Sequence, residues 1–123
     1  MGARAVRRGA EPLRTLVREA GGRLTPALIS EAARRGDAEA RMIWAEVGCS
    51  LGLGLANVVN LLNPERVIIG GGVANAWPLF APALMRTIRR EAMEVPAQAV
   101  RVVRAQLGDR AGIVGAAVLV WCP

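Results

Sequence analysis

The sequence predicts an α/β fold, rich in helix and with a small sheet, on three observations. A long stretch, 38–62, repeats apolar and small residues at helical spacing. The β-branched run Val67-Ile68-Ile69 follows it and passes straight into three consecutive glycines. Beyond a further helical pattern, 99–107 alternates well enough for a second strand, and the resulting order is ααα-βαβα. At 123 residues, 53% apolar and 21% charged, the chain is the size of one domain and is composed for a packed core.

The first predicted helix covers Pro12 to Ala20, where Leu13, Leu16, Val17 and Ala20 share a face and Gly21-Gly22 offers a left-handed stop. Thr25 caps the second, Pro26 suits its first turn, and Leu24 with Ile29 takes the positions of a hydrophobic staple. Gly36 closes it and Asp37 caps the third, completing a helical lead-in over 1–36. The long central helix occupies 37–63 with its cap, running from Ala38 to Leu62 until Asn63-Pro64 disfavours α backbone. Ile43, Val47, Leu51, Leu55, Val58 and Leu62 form its expected packing stripe, while Gly48, Gly52 and Ala56 lie on a neighbouring face where another backbone can come close. An interior glycine costs about 1 kcal/mol relative to alanine, so this helix needs tight contacts to offset its glycines.

Residues 66–123 read as strand, glycine turn, helix, strand and helix. Arg66 to Ile69 is a short buried-strand candidate. From Ala76 to Glu94, Phe80, Leu84, Ile88 and Ala92 recur every fourth residue while Arg86, Arg89 and Arg90 face elsewhere, and Val95-Pro96 is the expected stop. Ala99 to Leu107 follows, with Val100, Val102 or Val103, and Ala105 inward. Gly108-Asp109 turns the chain into a final apolar helix, Ala111 to Trp121, with Gly112, Gly115 and Ala116 as small contact positions.

Composition excludes much chemistry. With no histidine and only Cys49 and Cys122, these residues alone cannot build a Cys/His zinc site, a Ser-His-Asp triad or a Cys-His pair. All 16 basic residues are arginine and the net charge is +6, yet acidic neighbours such as Glu11, Glu31, Asp37 and Glu91 accompany the pairs Arg7-Arg8, Arg34-Arg35 and Arg89-Arg90. Without tyrosine and with one phenylalanine for base stacking, a solvated basic face is expected, not nucleic-acid binding. Met1 to Arg8 leads into Gly9-Ala10-Glu11, unlike a signal peptide. Asn57, Asn60 and Asn63 in the uncharged stretch Val47–Pro64, and Gly70–Gly72, Pro78 and Pro82 in Val67–Met85, are expected to deny lipid a continuous apolar helix.

The most informative local feature is Arg66-Val67-Ile68-Ile69-Gly70-Gly71-Gly72-Val73-Ala74-Asn75, a strand delivering three glycines ahead of a helix. Backbone without Cβ atoms takes positive φ and lets a flat ring or a phosphate approach, while free N–H groups at a helix start favour polar or anionic atoms. Neither G-x-G-x-x-G nor a Walker loop is present, so a glycine turn without a ligand is an equal reading of these residues. Asp109 either caps the last helix or holds a ligand hydroxyl or metal-bound water; Asn57 and Asn60 either pin a neighbouring backbone or line a pocket. Cys49 reads as a small buried residue and Cys122 as an exposed end residue.

The run Leu51-Gly52-Leu53-Gly54-Leu55-Ala56-Asn57-Val58-Val59-Asn60-Leu61-Leu62-Asn63-Pro64-Glu65-Arg66-Val67-Ile68-Ile69-Gly70-Gly71-Gly72-Val73 resembles the C-terminal signature of the ROK family, the bacterial sugar kinases and sugar-responsive repressors. Leu107-Gly108-Asp109-Arg110-Ala111-Gly112-Ile113-Val114-Gly115-Ala116-Ala117 is similar to that family's closing turn and helix, and Leu24-Thr25-Pro26 through Gly36-Asp37 to its segment before the long helix. The resemblance implies an actin-like ATPase (ribonuclease H-like) lobe, here partial: a single truncated C-terminal lobe over 1–123. It implies that Gly70, Gly71, Gly72 and Val73 form the adenosine-side wall of a nucleotide cleft for ATP with Mg²⁺. It matches no residue to the family's catalytic aspartate, phosphate loops or Cys/His zinc motif, so no catalytic or metal residue is assigned and the sugar would be held only by regions before Met1.

The expected function is therefore the C-terminal piece of an ATP-dependent, glucokinase-like sugar kinase, inactive alone, cytoplasmic and homodimeric. The alternatives are the same piece of a sugar-sensing transcriptional regulator, or a stand-alone dimerisation module.

Overall fold

The computed structural model describes residues 13–122. Its elements run α1 (Leu13–Glu19), α2 (Pro26–Arg34), α3 (Ala38–Leu62), β1 (Arg66–Ile69), α4 (Trp77–Glu91), α5 (Glu94–Ala99), β2 (Arg101–Arg104) and α6 (Ala111–Trp121). Short 3-10 turns, Gly72–Ala76 and Gly108–Arg110, precede α4 and α6. The expected start of the first helix at Pro12, the Arg7-Arg8 pair and the Met1–Arg8 leader reading lie outside the described residues.

The lead-in follows its caps. Gly21 and Gly22, at φ 75° and 81°, turn the chain out of α1. Thr25 Oγ1 accepts the Leu28 N–H at 3.3 Å, and Pro26 opens α2. Asp37 does more than cap α3: Oδ1 accepts the Ala40 N–H at 2.8 Å while Oδ2 accepts the Leu13 N–H at 2.9 Å, tying the start of α1 to that of α3. The Ala40 and Leu13 N–H groups, in that order, hold its carboxyl below the usual carboxylate range.

The heart of the fold is α3 against α4. A Cβ at Gly48 would stand 2.4 Å from the Phe80 carbonyl oxygen, and one at Gly52 would stand 2.9 Å from that of Leu84, so α4 lies directly on α3 backbone. The buried face of α3 is Ala40, Trp44, Gly48, Gly52, Ala56 and Val59. This overturns the expected aliphatic stripe: Leu51, Val58 and Leu62 are exposed, and Ile43, Val47 and Leu55 are only partly buried. The closest helix contact takes the side with the least side chain, because only there can α4 reach the backbone. Phe80, Leu84 and Ile88 supply the facing core of α4 as expected, although Ala92 is only partly buried.

Both long helices are continuous as expected, and the second correction concerns the apolar character of α3. α3 passes through Asn57 and Asn60 without interruption, and its length and mean hydropathy of 1.5 over an 18-residue window would suit a membrane crossing. Its glycine face is instead filled by α4. α4 likewise runs through Pro78 and Pro82, the first in the opening turn, where its missing N–H is not needed.

β1 and β2 pair in parallel, from Arg66 opposite Arg101 to Ile69 opposite Arg104, with α4 and α5 in the crossover. β1 is half open, not buried: Ile68 is exposed while Val67 and Ile69 are partly covered. Val95-Pro96 does not stop a helix; Ala92 turns extended, and the pair opens α5, where proline fits a first turn. The second strand accordingly starts at Arg101, not Ala99, and ends at Arg104; within it Val102 is buried, and Val100 is buried just before it. α6 forms as expected but is exposed throughout, and no atom lies within 4 Å of a Cβ built at Gly112 or Gly115, so the small positions make no helix contact among the described residues. The chain is thus helix-rich α/β with a two-stranded parallel sheet, as expected.

Candidate functional site

The site grows from the end of β1. The Ala105 N–H donates to the Ile69 carbonyl at 2.8 Å, holding the strand end against the chain beyond β2, and a Cβ built at Gly70 would stand 3.6 Å from Ala105 Cβ. Gly71 then takes φ 77° and ψ −175°, a conformation that side chains with a Cβ rarely adopt. Its carbonyl accepts the Ala74 N–H at 3.1 Å and starts the 3-10 turn. The glycines thus lead into a five-residue turn, not directly into α4. Nothing lies within 4 Å of a Cβ built at Gly71 or Gly72. The turn is open.

What it opens onto is a cleft of about 510 Å³. Gly72, Val73 and Asn75 border one side, and Pro26, Ala27, Ser30 and Arg34 of α2 border the other. Arg34 Nη2 donates to the Asn75 carbonyl at 3.3 Å, linking the two sides, while Arg104 Nη2 donates to Asn75 Oδ1 at 3.0 Å. Trp44 of α3 also borders the cleft. Its ring stacks on Phe80 with centroids 6.0 Å apart, and its buried Nε1–H has no hydrogen-bond partner. Such a donor left unpaired costs about 1–3 kcal/mol.

Of the four residues expected to wall a site, Gly72 and Val73 border this cleft; Gly70 and Gly71 shape its approach. Sequence reasoning missed the α2 side, Trp44 and Asn75. Residues 27, 30 and 34 do fall on one helical face, but that spacing does not say which element the face meets.

The other candidates stand elsewhere. Asp109 is exposed, and neither the Gly108–Arg110 turn nor α6 has a side-chain cap, so the expected capping is not made. Asn60 does pin a backbone, its Oδ1 accepting the Met93 N–H at 2.7 Å, whereas Asn57 is exposed. Cys49, expected to be buried, is exposed on α3, as is Cys122 near the end. Among the described residues no three His, Cys, Asp or Glu side chains gather as a metal site would require. A second concavity, about 540 Å³ between α4, α5 and β2, contains none of the glycine-turn residues.

A model of the ROK family matches residues 9–121. The chain belongs to the ROK family. Its ROK relatives include both functional branches. The xylose repressor of Caldicellulosiruptor bescii is 34% identical over 97 residues, 79% of this chain and 24% of the repressor. The glucokinase of Halalkalibacterium halodurans is 33% identical over 99 residues, 80% of this chain and 30% of the kinase. A ROK glucokinase from Streptomyces griseus, solved in complex with glucose and AMPPNP, superposes with a TM-score of 0.73 at 34% identity, over 86% of this chain and 35% of that one. The chain therefore spans about a quarter to a third of the length of these ROK proteins.

Proposed function

We propose that this chain supplies the adenosine side of the ATP cleft of a ROK-type sugar kinase. In this reading the Gly70–Val73 turn is one wall and α2 the other. One observation carries it: the turn that the resemblance places beside a purine faces open space and borders a cleft, where a turn packed shut would have excluded any ligand. The likeness to a glucokinase solved with AMPPNP supports the choice of nucleotide. The residues fit a nucleoside, since the bare backbone at Gly71 and Gly72 admits a flat ring.

Phosphoryl transfer also needs a base on the acceptor hydroxyl and charge to position phosphates and Mg²⁺. In this proposal those tasks, and the grip on the sugar, fall to parts of the ROK fold outside the 123 residues, so the chain alone binds nucleotide without turning it over. The setting is the cytoplasm, where ATP is available, and the kinase pairs as a homodimer.

Titration calorimetry with AMPPNP tests the reading. The parent chain is expected to show saturable binding, Gly71→Val to weaken it at least about tenfold through strain and crowding, and Arg89→Ala, on the exposed side of α4, to leave it unchanged. Equal losses in the two variants, or no binding by the parent, would remove the assignment.

The identity to the xylose repressor favours a second reading, the same lobe in a sugar-sensing regulator. The coding sequence before Met1 separates the two: a catalytic aspartate with phosphate loops marks the kinase, a helix-turn-helix the regulator. The exposed apolar length of α6 favours a third, a dimerisation module. Light scattering showing a stable monomer would count against it.

A further inference from the structure

Arg34 and Arg35 are neighbours in sequence and part company in the fold. Arg35 Nε meets the Glu31 carboxylate at 2.7 Å, one turn back, and Arg90 Nε meets that of Glu91 at 2.6 Å. Arg34 takes no carboxylate. Its Nη2 donates across the cleft to the Asn75 carbonyl at 3.3 Å, and Arg104 Nη2, from the end of β2, donates to Asn75 Oδ1 at 3.0 Å. Two guanidinium groups are thus drawn to one neutral residue, which accepts their hydrogen bonds and cancels none of their charge. The Gly108–Arg110 turn lies against Gly72–Ala76 and carries Asp109, yet among the described residues Asp109 forms no ion pair with either arginine.

A guanidinium carries five N–H donors, and one on each is engaged with Asn75. Both side chains are exposed, so the others can meet a ligand. Arg34 borders the cleft alongside Gly72 and Val73, and Asn75 ties Arg104 to the same rim. Planar forks that converge without a counter-charge suit the oxygens of a phosphate, which arginine binds through paired N–H groups.

We infer that Arg34 and Arg104, oriented by Asn75, form an anion subsite at the rim of this cleft for the phosphate nearest the nucleoside, an inference that rests on the nucleotide reading. The phosphate to be transferred, with its Mg²⁺, stays with the rest of the ROK fold. Asn75 is a positioning residue, since its two oxygens fix the two forks.

Calorimetry on the full chain with adenosine, AMP and inorganic phosphate reads this subsite apart from the nucleoside. AMP is expected to bind at least about tenfold more tightly than adenosine, and inorganic phosphate far more weakly than AMP. Arg34→Gln and Arg104→Gln should each shrink that preference. In the double variant AMP should bind no more tightly than adenosine, whose own affinity is retained. Both positions are exposed, so melting midpoints should match the parent. Asn75→Ala keeps both charges but releases the forks, and should also reduce the preference. Added salt should erase it while sparing adenosine.

The outcomes separate cleanly. Equal binding of adenosine and AMP by the parent, or an AMP preference that survives the double variant, would overturn the subsite and leave the nucleotide reading standing. Inorganic phosphate bound as tightly as AMP would mark a free-phosphate site and overturn the assignment to a nucleotide's phosphate. No binding of adenosine, AMP or AMPPNP would overturn both readings.

Discussion

Gly48 and Gly52 on α3 and Gly71 and Gly72 after β1 lack the same atom for opposite reasons. At the first pair the space of a side chain is taken by α4, with backbone oxygens 2.4 and 2.9 Å from where a Cβ would sit. At the second pair that space is empty to 4 Å and borders a cleft. One set makes the core possible and the other makes room. A glycine cluster in a sequence therefore says that something comes close, and only its surroundings decide whether that is a helix or a ligand.

The strongest test of the contrast is Gly48→Ala. The added methyl group would overlap backbone, forcing α4 away at a cost of about 3 kcal/mol. Better helix propensity offsets about 1 kcal/mol of that. Denaturant melts should show a net loss near 2 kcal/mol; an unchanged midpoint would mean that the two helices are not in backbone contact. Asp37→Ala comes next, because it removes the cap of α3 and the tie to α1 together, and about 1–2 kcal/mol should go with it.

That contribution depends on pH. The folded-state pKa lies below the unfolded one, so the stabilisation is full above the unfolded value of about 4 and is lost as pH falls through the folded value. Melts of Asp37→Asn should lack this acid-side loss; an acid limb identical to that of the parent would mean that Asp37 is not its source.

Gly54→Ala carries the opposite sign. It lies in the same helix with nothing within 4 Å, so it should gain about 1 kcal/mol. The smallest effect on stability belongs to Gly72→Ala, within about 0.5 kcal/mol because the methyl group meets nothing, while AMPPNP affinity should fall. A variant that melts early and binds normally would reverse the contrast between the two glycine pairs.

The sequence carried the helix ends well because caps are local chemistry: Thr25, Asp37 and the left-handed glycines act within a few residues of themselves. On α3 the close approach at Gly48 and Gly52 was legible in their missing side chains, and the aliphatic stripe was misread. Hydrophobicity favours Leu51, Val58 and Leu62, yet the contact is decided by how near α4 can come, which favours Gly48 and Gly52. Val95-Pro96 misled for a related reason, since proline ends one helix and begins the next with equal ease, and the extended Ala92 separates the two cases. The glycine side of the candidate cleft was visible, because three glycines after a strand are a local signal. The α2 side and Trp44 were not, because their meeting with Val73 and Asn75 is tertiary.

Amide mapping by ¹⁵N NMR during an AMPPNP titration of the 123-residue chain tests the account most directly. The predicted result is saturable shifts that are largest at Gly71, Gly72 and Val73 on one side and at Ala27 and Ser30 on the other. Shifts centred instead on Ile88 and Val102 in the second concavity, or no saturable shift at all, would contradict it.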